Sequence, residues 1–116
     1  MRTIICGGRH YAEREYAEQR LDSIHAETPI TLAITGGATG ADAIGKAWAE
    51  SRGVPHREFP VSDADWKRLG LAAGPIRNGQ MLVQGAADRV IAFPGNKGTR
   101  DMVRQAKACG LAIVQG

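Results

Sequence analysis

Cysteine is nearly absent: Cys6 and Cys109 are the only two in 116 residues, they form no CxxC, and no histidine pair stands near either. That spacing excludes a disulfide scaffold and a zinc site, and both thiols are expected to be buried. Long apolar runs are missing too. The stretch in MRTIICGGR is far too short for a signal-peptide core or a membrane span, nothing later approaches that length, and a cytoplasmic address follows by default. Aromatic residues make up 5% of the chain, which leaves no aromatic-and-basic stripe of the kind that binds single-stranded nucleic acid. A large excess of one charge is also lacking. Fifteen Lys plus Arg against twelve Asp plus Glu give +3, enough to favour anionic ligands but not to form a dense basic face. No repeat, low-complexity tract or linker divides the sequence, so residues 1–116 are expected to form one domain with a single site.

What is present in excess is glycine, fifteen residues, about twice the usual share of roughly 7%. Four apolar runs rich in β-branched residues predict strands at Thr3–Cys6, Thr31–Thr35, Arg89–Phe93 and Leu111–Val114, with a weaker fifth at His56–Pro60. Between them, helical spacing covers Tyr11–Ala26 (with Tyr16, Leu21 and Ile24), Ala41–Arg52 (with Ile44, Ala47 and Trp48), Ile76–Gln84 and Asp101–Ala108. Strands that are apolar throughout and alternate with helices predict a parallel sheet covered on both faces. The expectation is an α/β, Rossmann-like, three-layer domain with five strands in the order 3-2-1-4-5. Val61–Gly74 lacks periodicity and is expected to be a binding loop with room for one helical turn at Asp65–Leu69. Trp48 and Met81 are expected to turn into the core.

Three glycine clusters directly follow predicted strands: CGGR at Cys6–Arg9, TGGATGAD at Thr35–Asp42, and PGNKGTRD at Pro94–Asp101. In a parallel sheet all strand C-termini share one edge, so the three turns can converge there. Glycine lets amides approach an anion without an intervening Cβ, and each following helix adds unpaired amides and a positive dipole end. Phosphate is the natural guest, held by Gly7, Gly8, Gly36, Gly37, Gly40, Pro94, Gly95, Asn96 and Gly98 at the place where strand order reverses. None of the clusters is a GxGxxG or Walker A sequence, which disfavours classical dinucleotide and P-loop binding.

Arg9, Arg77, Lys97 and Arg100 are placed on or near that edge, with arginine suited to bidentate phosphate contact. Thr39 and Thr99 stand at helix starts, where a hydroxyl either caps the helix, the favoured reading, or bonds a phosphate. Asp42 suits a ribose hydroxyl or its own helix dipole, Asn78 a base edge or a helix cap, and Trp66 a stacked base or the core under its loop.

With those residues in hand, the chain resembles the SLOG group, and within it the small YspA-like branch. The group is related to the cytokinin-activating phosphoribohydrolases. The resemblance runs nearly end to end through GGRHY, GGATGADAIGKAWAESRGVP, ADWKRLGLAAGPIRNGQM and ADRVIAFPGNKGTRDMVRQA. Phosphoribohydrolases of this kind carry an Arg and a Met four residues later before a strand, then a PGGxGT turn and one or two acids. Arg77 and Met81 keep that spacing, and Pro94, Gly95, Gly98 and Thr99 keep the turn. Asn96 replaces a usual glycine, and the acids are reduced to Asp101, followed by Met102. GGATGADAIGKAWA is also similar to a turn and helix of the DNA-processing protein that loads recombinase on single strands, which reflects shared fold ancestry.

The resemblance implies a nucleotide-derived small molecule as partner, no further cofactor or metal, and a homodimer. Binding of a phosphorylated nucleotide or ribosyl derivative, as a sensor or sequestering module, comes first because the acidic pair is reduced and no Ser, Cys or His nucleophile constellation is visible. The alternative is hydrolysis of the N-glycosidic bond of a nucleoside 5′-monophosphate, with Arg77 gripping phosphate or leaving base and Asp101 stabilising the cationic ribose. Single-stranded nucleic-acid binding is third.

Overall fold

The computed structural model describes every residue, Met1–Gly116. Five strands, β1 (Arg2–Cys6), β2 (Leu32–Thr35), β3 (His56–Glu58), β4 (Arg89–Ala92) and β5 (Ala112–Gln115), form one parallel sheet in the order β3-β2-β1-β4-β5. The helices are α1 (Arg14–Glu27), α2 (Ala41–Ser51), α3 (Asp63–Leu69), α4 (Ala73–Val83) and α5 (Lys97–Ala108). The α/β Rossmann-like architecture expected from strand and helix alternation is the one observed.

Strand pleat sorts the core into two halves. Ile4, Ile34 and Val90 stand side by side in register and pack with Met81, Leu82, Met102 and Ala106 of α4 and α5. Their chain neighbours Ile5, Ala33 and Ile91 face the other way, onto Ala17, Leu21, Ile24, Trp48 and Ala49 of α1 and α2. A strand buried on both faces needs apolar side chains at successive positions, which is why these runs do not alternate in polarity. Trp48 is fully buried, its indole N–H donating to Asp22 Oδ1 at 2.8 Å, and Met81 is buried as expected.

Three local expectations are corrected. Tyr16 does not face the core: Ala17, Leu21 and Ile24 form the buried stripe of α1, and Tyr16 lies about 100° round from Ala17, exposed. Cys109 is exposed, unlike Cys6, because it ends α5 just before Gly110, whose φ of +76° turns the chain toward β5. Val61–Gly74 is mostly helical: Ser62 caps α3 by accepting from the Asp65 amide at 3.1 Å, and a short 3-10 turn at Gly70–Ala72 leads straight into α4.

Candidate functional site

The three glycine turns meet at the C-terminal rim of the sheet. Gly7 to Arg9, after β1, is wedged between the other two. The Gly8 amide donates to Pro94 O at 2.8 Å, while Gly8 O accepts from the amides of Tyr11 and Ala41. A Cβ at Gly7 would lie 2.6 Å from Ala41 Cβ, and Gly40, at φ +72°, presses on the carbonyl of Gly8. These two glycines are dictated by turn-to-turn packing.

Thr39 and Thr99 do not cap their helices. Gly40 and Asn96 occupy the cap positions of α2 and α5 without a side-chain bond, and Thr39 Oγ1 instead donates to Arg9 O at 3.0 Å.

Beside the turns lies a cleft of about 850 Å³, walled by α3, α4 and the start of α5. Gly7, Gly8, Arg9, Gly36, Asp42, Trp66, Arg77, Asn78, Pro94, Gly95, Asn96, Lys97, Gly98, Thr99 and Asp101 all line it. Gly37, Thr39 and Gly40 do not, and Arg100 faces a neighbouring groove. The structure adds Cys6, His10, Tyr11, Leu71, Gly74, Pro75 and Met81 among the lining residues. Tyr11 and His10 continue the CGGR turn and Gly74 and Pro75 open α4, so adjacency to the glycine turns and to Arg77 was their only sequence signal.

The amides divide into those the chain uses and those it leaves. Gly36 and Ala38 both donate to Asp42 Oδ2 at 3.2 Å, so Asp42, on the first turn of α2 and buried, holds the TGGATG turn from within. Burial pushes its carboxyl above the ordinary value, and the Ala38 and Gly36 amides with the Arg77 and Arg9 charges pull back. At α5 the first amide to find an intrahelical partner is that of Arg100, which donates to Asn96 O. The amides of Lys97, Gly98 and Thr99, three residues that line the cleft, are therefore left over at the positive end of the helix.

Arg77 projects from the first turns of α4. Its Nη1 donates to Gly36 O at 2.6 Å, while its buried Nε is the one buried side-chain nitrogen or oxygen with no partner in the chain. Burial lowers its pKa, with Asp42 opposing. Cys6, below it, has its thiol pushed up to about 12 by burial, which makes it no nucleophile at neutral pH.

Asp101 is crowded with donors. Asn78 Nδ2 reaches its Oδ2 at 3.0 Å, Gln105 Nε2 the same oxygen at 2.7 Å, and Arg104 Nη2 takes Oδ1. Burial pushes the carboxyl up, but the three donors outweigh it and hold the group ionised below the usual value. Asn78 also donates to Gly98 O at 3.2 Å, tying α4 to α5. Across the cleft the Arg9 guanidinium stands 5.5 Å from the centre of the Trp66 ring.

A parallel five-stranded sheet with a cleft at its strand C-termini defines a Rossmann-like domain. The chain belongs to the YspA, cpYpsA-related SLOG family, whose model matches residues 1–69. It is 34% identical over 120 residues to the Gene 61 protein of Mycobacterium phage D29, covering 97% of this chain and 94% of that relative. No solved structure matches the chain. No helix is long and apolar enough to cross a membrane.

Proposed function

We propose that this protein binds a phosphorylated nucleotide or ribosyl-nucleotide derivative in the cleft, as a sensor or sequestering module that does not turn its ligand over. The phosphate is held by the unpaired amides of Lys97, Gly98 and Thr99 with the Lys97 side chain, and Arg77 offers the free part of its guanidinium. Trp66 supplies a ring for the base, exchanging its contact with Arg9 for stacking.

The observation that carries binding over hydrolysis is the state of Asp101. A carboxylate that orients water or faces a cationic ribose needs a free lone pair and an uncompensated charge. Three of the four lone-pair sites of Asp101 already accept bonds from the chain, and one of these bonds pairs its charge with Arg104. Hydrolysis of the N-glycosidic bond is the second reading, supported by Arg77 and Asp101 lining one cleft.

The test is to incubate the protein with nucleoside monophosphates and ribosylated nucleotides, following base release by chromatography and thermal stability in parallel. Stabilisation without turnover is expected. Base release that disappears in Asp101→Asn would establish the hydrolase instead.

A further inference from the structure

A second groove, of about 550 Å³, runs along α5 on the side of β4 and β5. Apolar Val103 and Phe93 contribute to its lining together with Arg100, Arg104 and Lys107. At 100° per residue these three cations and Lys97 fall within about 80° of the helix circumference, and at 1.5 Å per residue they span about 15 Å. Arg104 is paired with Asp101, whereas Lys97, Arg100 and Lys107 form no ion pair in the chain. The groove and the cleft are adjoining: Pro94, Gly95 and Thr99 line both.

A row of unpaired cations leading away from a helix N-terminus is a path for more than one negative group. We infer that the groove is a second anion subsite, so that the ligand carries a further phosphate beyond the one at the first turn of α5. That phosphate passes over Thr99 and lies against Arg100 and Lys107. The inference rests on nucleotide binding in the cleft and narrows its ligand class to nucleotides with a second phosphate, in either a phosphate chain or a phosphodiester. Arginine and lysine serve such a group at an exposed groove without burial of an unpaired charge.

The experiment measures affinity for the mono- and triphosphates of the four ribonucleosides, and for 5′-phosphorylated dinucleotides, at about 0.15 M ionic strength without divalent cations, where charges not in direct contact with the ligand are largely screened. Wild type is compared with the Arg100→Ala/Lys107→Ala double variant, whose exposed substitutions leave the core untouched. In wild type a ligand with a second phosphate is expected to bind at least about tenfold tighter than its monophosphate, an advantage the double variant loses while monophosphate affinity stays unchanged. The better of the triphosphate and dinucleotide arms then identifies the kind of linkage. Equal affinity for one and two phosphates, or an advantage that survives in the double variant, overturns the second subsite and leaves the cleft reading standing. Failure of every ligand to bind overturns both.

Discussion

Arg89 and Arg77 are both drawn away from solvent at opposite ends of the same sheet, and their surroundings differ in one respect. Arg89, at the start of β4, is 4% exposed, and its Nε and Nη2 donate to Thr3 Oγ1 while Nη2 also reaches Thr28 O. The N-terminal rim is closed in the same manner elsewhere. Arg2 Nε bonds Gly85 O, the Arg2 amide bonds Asp88, and the terminal amine bonds Pro29 O. At the C-terminal rim Arg77 keeps a buried nitrogen without a partner, and the start of α5 keeps three amides without acceptors. A buried guanidinium bonded to a hydroxyl and a carbonyl holds a fold together, whereas amides left over beside a cleft are available to a ligand.

The comparison is tested most severely by removing Arg89. Arg89→Ala is expected to cost about 2–4 kcal/mol of unfolding free energy in a urea titration, by leaving a cavity and stranding Thr3 and Thr28 O. Equal stability would mean that the N-terminal rim is not held as described.

Gly95→Ala comes next, because a Cβ there would lie 2.7 Å from the Gly8 amide nitrogen. A loss of about 1–3 kcal/mol is expected. Gly98→Ala, with open space around the new methyl, should melt within about 0.5 kcal/mol of wild type. A large loss at Gly98 would show that the α5 turn is packed rather than open.

Asp101→Asn is expected to cost about 1 kcal/mol at neutral pH through its bond with Arg104. The folded carboxyl lies below its unfolded value of 3.8, so its contribution is present above that value and is lost as pH falls through the folded one. The acid limb of a stability-versus-pH curve should therefore be shallower in the variant. An unchanged limb would contradict the three-donor arrangement. Asp42, shifted upward, has the opposite sign and weakens the fold as pH rises above 3.8.

Arg77→Met is expected to have a small effect on stability, under about 1 kcal/mol, since it removes an unsatisfied nitrogen along with the bonds to Gly36 O and Phe59 O. Its melting temperature should stay within a few degrees of wild type while nucleotide stabilisation disappears. A variant as fragile as Arg89→Ala would erase the distinction between the two rims.

The parallel sheet was legible because Ile4–Ile5, Ala33–Ile34 and Val90–Ile91 place apolar side chains on both faces at once and alternate with helices, as covered parallel strands do. The convergence of glycine turns followed from that topology. Other features depend on how a turn folds back or on which helices meet, which residue type alone does not settle. Asp42 was ambiguous until Gly36 and Ala38 folded back on it, and Asp101, with Arg104 and Gln105 one helical turn on, gave no sign that Asn78 of α4 would join them. Of α3 only the turn at Asp65–Leu69 was legible, because none of the helix's residues is buried and no apolar stripe marks it. Its start was marked by Ser62, a good cap, before Asp63 and Asp65.

An anion held by the leftover amides of α5 will shift their own signals, read by NMR on the labelled 12.4 kDa chain while nucleotides are added. The largest shifts should fall on Lys97, Gly98 and Thr99, with Gly8 and Gly36, already bonded to Pro94 and Asp42, moving less. Shifts centred on Thr3, Thr28 and Arg89, or no shifts at saturating concentration, would contradict that binding.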